Sequence, residues 1–141
     1  PFVGPYTASK FALEGLSDSL RMELLPFGVD VIIVRPGPIN TEIWDKAPTP
    51  DNNPFTDGFY GHSLTLFYNL IVKGGRRGLP PIAIAEVIYQ ALTSTNPKPR
   101  YTKTPGYFMR VFLPKWLPTR VFDRIIGRML DLLPERFHKS S

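Results

Sequence analysis

Tyr6 and Lys10 stand four residues apart in "PYTASKFALEG", the spacing that puts two side chains one turn apart on the same face of a helix. A tyrosine hydroxyl ordinarily keeps its proton until about pH 10, too high for ready proton exchange near neutrality. An ammonium held ~4 Å away is worth at most ~4 kcal/mol to a phenolate at an effective dielectric near 20. At about 1.36 kcal/mol per pH unit, that is enough to make a phenol a working general acid and base. The bare pair fits a solvated surface contact equally well, because Tyr and Lys often meet at this separation by chance. Other chemistries are poorly supplied. The chain has no cysteine and only two histidines, His62 and His138, far apart in sequence, so disulfides are excluded and no metal site is expected. His62 is flanked by Gly61 and Ser63, but no Gly-x-Ser-x-Gly elbow is present, which argues against a serine hydrolase.

The elements that must hold the pair follow at once. Leu13, Leu16, Leu20 and Leu24 recur at helical spacing, with Glu14, Asp18, Arg21 and Glu23 largely off that stripe, and predict one helix over 6–27. A second line on it, Ala8, Ala12, Gly15 and Ser19, contains only small residues and would let another backbone approach closely. Pro26 and Gly28 mark its stop. The run "VDVIIVRPG" then predicts a strand over 29–35, buried on both faces of a parallel sheet, with a loop leaving its carboxyl end at Pro36-Gly37. Helix, short turn and buried strand together indicate an α/β fold with a Rossmann-like doubly wound parallel sheet.

Residues 42–81 are irregular, with Pro48, Pro50, Asn52, Asn53, Pro54 and Gly58 ahead of an apolar stretch at 63–72 that predicts a short helix. "KGGRRG" at 73–78 has the glycines of a phosphate turn but no buried strand feeding it, and reads as a loop. So long an insertion after a sheet strand is usually functional, and this one is expected to form a substrate lid. Its Trp44, Phe55, Phe59, Tyr60, Leu64, Leu66, Phe67 and Tyr68 suggest an apolar substrate. Beyond it, Ile84, Val87, Ile88 and Leu92 predict an amphipathic helix over 82–95, and "RYTK" a last strand over 100–103.

The net charge of +5 is unevenly placed: residues 98–141 hold ten Lys/Arg against three acids, while the rest of the chain is slightly acidic. A helix over 119–133 is expected there, with Val121, Phe122, Ile125, Ile126, Met129, Leu132 and Leu133 on one face and Arg120, Arg124 and Arg128 opposite. Phe112, Leu113, Trp116 and Leu117 lie close by in sequence. This basic amphipathic tail, 105–141, could dock on its own domain or lie in a membrane interface with its arginines toward anionic headgroups. No nucleic-acid partner is expected, since no recognition motif accompanies the charge. No apolar run reaches the ~18–20 residues of a membrane span, and no signal sequence opens the chain. An intracellular location, cytoplasmic or peripheral to a membrane, is expected.

The string "YTASKFALEGLSDSLRMELLPFGVDVIIVRPGPINT" resembles the short-chain dehydrogenase/reductase superfamily, compact branch, over its whole length. The resemblance implies an enzyme dependent on NAD or NADP that interconverts an alcohol and a ketone. It implies Tyr6 as the proton donor or acceptor at the substrate oxygen, with Lys10 holding the ribose hydroxyls and favouring the phenolate. Pro36, Gly37, Ile39 and Thr41 would meet the nicotinamide, through the Ile39 backbone and the Thr41 hydroxyl, along with Tyr6 and Lys10. Family members carry a Gly-rich pyrophosphate turn, an Asn-Ala-Gly segment and a catalytic serine ahead of the tyrosine. None is found here, so residues 1–104 are expected to be the C-terminal half of the oxidoreductase domain, inactive by themselves. A homo-oligomer paired through helix 6–27 is expected in the intact enzyme. The competing reading is a catalytically incompetent remnant or interaction module, with its tail on a membrane surface.

Overall fold

Helix α1, Gly4–Leu24, opens the fold with Pro5 in its first turn, where a missing N–H costs nothing. The structure, a computed structural model, describes residues 1–46, 55–106 and 116–134. The Pro/Asn-rich stretch 47–54, the tail residues Phe112 and Leu113, and residues 135–141 with His138 lie outside the described residues. The helix expected over 6–27 is two pieces. Pro26 tightens its end into a 3-10 turn, Leu25–Phe27, which Gly28 closes in the left-handed conformation (φ 65°). Tyr6 and Lys10 therefore sit in the first two turns of α1.

Strand β1, Ile33–Pro36, pairs in parallel with β2, Arg100–Lys103, in the register Ile33–Arg100 to Pro36–Lys103. The Gly37 N–H continues the ladder to the Lys103 carbonyl at 2.8 Å. A Cβ on Gly37 would overlap the Thr104 side chain, so the close approach of these two chains requires glycine there. The strand expected over 29–35, buried on both faces, is corrected in both respects. Pairing begins only at Ile33, and Ile33–Arg35 are half-buried. A strand extends only as far as it has a partner, and β2 supplies four residues.

Two helices, α2 (Gly61–Arg76) and α3 (Pro81–Thr93), make the crossover that parallel strands demand. Helix α3 packs against both strands. Its inward line is Ile84, Val87 and Ala91, whereas Ile88 and Leu92, expected on that face, are exposed. The chain is thus α/β, with four α-helices and a small parallel sheet among the described residues, part of a Rossmann-like fold. Helix α2 is longer than the expected 63–72 and absorbs Lys73–Arg76, so "KGGRRG" is mostly helix rather than loop. Two interior glycines cost about 1 kcal/mol each relative to alanine, and only tertiary contact at that point makes the extension worthwhile.

Charge ties α1 to the sheet. Arg35 grips Glu14 through two hydrogen bonds, one of them Nε–H to Oε1 at 2.6 Å, and Arg100 bonds Asp18 while its Nε lies 3.5 Å from Glu14 Oε2. The Arg35 hydrogen bond is the main cause holding the Glu14 carboxyl below its ordinary value of 4.5, with Arg100 adding to it. A lowered folded-state value means the stabilisation is fully present above about pH 4.5 and is lost as pH falls through the lower folded value. Glu14→Gln is therefore expected to flatten the fall in unfolding free energy on acidification below that pH, as read by urea denaturation at a series of pH values. An unchanged slope would remove Glu14 from the acid response.

The last element is α4, Thr119–Met129, which ends four residues earlier than the expected 133. Asp131 takes a left-handed conformation (φ 54°), its N–H bonds the Arg128 carbonyl, and the Leu132 N–H bonds the Gly127 carbonyl at 2.7 Å. That pair of reversed bonds caps the helix and folds the chain back. The turn buries Leu130, which is 2% exposed, and brings the Asp131 carbonyl to the fully buried Ser63 hydroxyl of α2 at 3.1 Å. His62 Nε2 lies 3.5 Å from Asp131 Oδ2. The turn after α4 meets the first turn of α2 through the Ser63–Asp131 hydrogen bond, and Arg120, Arg124 and Arg128 are exposed. Among the described residues no helix is long and apolar enough to cross a membrane.

Candidate active site

Tyr6, Pro36, Gly37, Ile39 and Thr41 line a single cleft of about 940 Å³ beyond the carboxyl end of β1. They arrive from two directions. Tyr6 projects from the first turn of α1, and Phe2, just ahead of it, packs edge-on against Phe67 of α2 (ring centroids 5.5 Å apart). The other four come from the turn that leaves β1. That turn is fixed by a two-residue parallel bridge: the Leu79 N–H bonds the Pro38 carbonyl and the Asn40 N–H bonds the Leu79 carbonyl, each at 2.9 Å. Ile39's own N–H takes no part in the bridge.

Lys10 is not in the cleft wall. Its Nζ sits over the Tyr6 ring, 5.3 Å from the centroid, a cation–π contact and not the ~4 Å approach to the hydroxyl that the spacing alone suggests. Tyr6 is 64% exposed, so among the described residues the cleft encloses it only on one side. Ser9 donates its hydroxyl back to the Tyr6 carbonyl at 2.7 Å and is committed to the helix backbone. Thr41 occupies the N-cap position of a 3-10 turn, Glu42–Trp44, yet its side chain makes no capping hydrogen bond. Thr41 lines the cleft.

The opposite wall is apolar. Leu70, Ile71 and Gly74 come from one face of α2, Ile43 and Trp44 from the 3-10 turn, and Ile126 and Met129 from α4. Sequence reasoning placed Trp44 among the lid aromatics, but it missed the tail as a cleft wall. The only signal was that Ile126 and Met129 are three residues apart on a strongly amphipathic helix. Of the remaining lid aromatics, Phe55 and Phe59 are exposed, while Phe67 is buried.

A loop at the carboxyl end of a parallel strand, facing a helix-borne Tyr/Lys pair, is where doubly wound sheets hold their ligands. The fold is part of a Rossmann-like α/β sheet. A family profile described as short chain dehydrogenase matches residues 1–52, and the chain is part of a short-chain dehydrogenase/reductase. It is 36% identical over 135 residues to the NADPH-dependent 3-dehydrocapnine reductase of Ornithobacterium rhinotracheale, covering 96% of this chain and 47% of that one. It is 36% identical over 130 residues to the 3-ketodihydrosphingosine reductase of Bacteroides thetaiotaomicron, covering 87% and 46%. With retinol dehydrogenase 5 of Mus musculus it shares 33% over 148 residues, covering 90% and 43%. The chain spans about half the length of the curated relatives it matches.

The residues present suit the nicotinamide end of a dinucleotide. Thr41 offers an uncapped hydroxyl and Ile39 an N–H outside the bridge, both polar groups of the kind a carboxamide pairs with. The flat, side-chain-poor surface of Pro36-Gly37 lies beside them.

Proposed function

We propose that the intact protein is an NAD(P)-dependent oxidoreductase that interconverts a bulky apolar alcohol and its ketone. The observation that carries this reading is that Tyr6 and the turn Pro36–Thr41 share one cleft whose far wall is aliphatic and aromatic. A bound nicotinamide supplies or accepts hydride at the substrate carbon. Tyr6 gives a proton to the developing alkoxide, or takes one from the alcohol in the reverse direction. Lys10 keeps a positive charge beside the tyrosine. The turn residues Ile39 and Thr41 orient the ring, while Leu70, Ile71, Ile126 and Met129 exclude water from the apolar part of the substrate. The similarity to a 3-ketodihydrosphingosine reductase and to a retinol dehydrogenase supports an apolar substrate.

The test is turnover of NADH and NADPH oxidation with ketones of increasing apolar length. Each methylene buried in the cleft is worth about 0.8 kcal/mol, or roughly fourfold in kcat/KM, until the cleft is filled. Equal rates across the series would overturn the apolar assignment, and no turnover with any carbonyl or alcohol would remove the oxidoreductase reading. A second reading, an interaction module, draws on the apolar face of α1, where Leu13 and Leu16 are 55% and 64% exposed. In that reading the small-residue line meets a second copy of the chain. Micromolar binding of either dinucleotide to the 141-residue chain, measured by calorimetry, would exclude it as the sole role.

A further inference from the structure

Trp44 does more than line the cleft. Its indole N–H donates to the Ile39 carbonyl at 2.6 Å, and its ring lies directly on Gly75 of α2, where any Cβ would overlap the indole. Asp45, just past the 3-10 turn, pairs with Arg76 at 2.9 Å, so two consecutive residues, Trp44 and Asp45, meet two consecutive residues of the helix. Three residues on, a Cβ at Gly78 would strike the Pro38 carbonyl, so the same glycine-rich stretch also admits the turn backbone. This accounts for glycine inside a helix that would be more stable with alanine.

We propose that Trp44, seated on Gly75, is a positioning residue for the cofactor turn, holding the Ile39 peptide so that its N–H and the Thr41 hydroxyl face the nicotinamide. The proposal rests on the oxidoreductase reading above. The hydrogen bond fixes the Ile39 carbonyl, and the bridge fixes Pro38 and Asn40 on either side of it. With all three held, the segment has one orientation to present. Gly75 supplies the flat seat without which the indole cannot reach the carbonyl. Asn69, exposed on the same helix and outside the cleft, is the natural comparison.

The experiment uses the intact protein in which every tryptophan except Trp44, Trp116 among them, is replaced by phenylalanine, so that Trp44 is the sole indole. Gly75→Ala is expected to shift Trp44 emission to the red and to raise the dissociation constants for NADH and NADPH about tenfold, the worth of one well-made hydrogen bond and its setting. Asn69→Ala changes an exposed position of the same helix outside the cleft and leaves both readouts where they were. Trp44→Phe retains a ring on Gly75 but loses the donor; it is expected to weaken dinucleotide binding several-fold, raising the cofactor KM far more than it lowers kcat, with little change in melting temperature. If Trp44→Phe and folded Gly75→Ala bind both dinucleotides as tightly as the parent, the positioning role is overturned while the oxidoreductase reading stands. If the parent binds neither dinucleotide, that reading fails and the positioning role fails with it.

Discussion

Replacing Tyr6 with phenylalanine is expected to lower kcat of the intact enzyme by at least about 10²-fold, the low end of what a positioned acid/base group contributes. The substitution is unusually clean here. It removes one hydroxyl and keeps the ring over which the Lys10 ammonium sits, so the charge next to the site stays in place. The helix is not disturbed either, since Tyr6 is exposed and its carbonyl still accepts from Ser9. Dinucleotide affinity should therefore hold while turnover collapses, and the two are separable by fluorescence titration alongside steady-state kinetics. Turnover within a factor of a few of the parent would show that the proton comes from elsewhere, and would remove Tyr6 from the chemistry.

The second large effect concerns the tail. Leu130→Ala should cost about 2–5 kcal/mol, the range for truncating a buried leucine whose surroundings cannot collapse to fill the space. Leu130 is the largest fully buried side chain among the described residues, and it sits where the chain folds back after α4. Its loss loosens the turn that carries the Ser63–Asp131 hydrogen bond and the exposed His62–Asp131 contact to α2. Because Ile126 and Met129 of the same helix face the cleft, the damage should reach function as a raised KM for apolar ketones, with the cofactor KM little changed. Urea denaturation gives the stability loss, and the two KM values show where it is felt. A loss under about 1 kcal/mol would mean that α4 is held by contacts other than Leu130.

Where local chemistry decides, sequence and structure agree. The Pro-Gly turn, the helix that carries Tyr6 and Lys10, and the strand "RYTK" are legible because each is specified by its own residues: a breaker, a leucine period, a β-prone tetrapeptide. Where a partner decides, the sequence is silent or misleading. The strand over 29–35 looks long because Val31 and Ile32 are as apolar as Ile33, yet its length is set by β2. "KGGRRG" looks like a loop because glycine is a poor helix former. Its helical conformation depends on Trp44, thirty-one residues away, which needs a side-chain-free surface to rest on. Of the site, Tyr6 and the turn residues are brought to one cleft, whereas Lys10 takes a place over the ring that spacing does not predict. The part played by α4 is invisible in one dimension, since amphipathicity names a face without naming what it meets.

Helix α2 touches every working part of the molecule described: its first turn holds the tail, its middle faces the substrate space, and its last turn seats Trp44. That concentration shapes how such a protein can diversify. A change on α2 that suits a new substrate risks disturbing the cofactor turn or the tail, so its positions carry several constraints at once. Ile126 and Met129 border the same cleft from a helix that makes none of those connections to the turn. Variation in substrate preference is therefore expected to accumulate on the tail helix, leaving α2 as the slowly changing frame around which new specificities are tried.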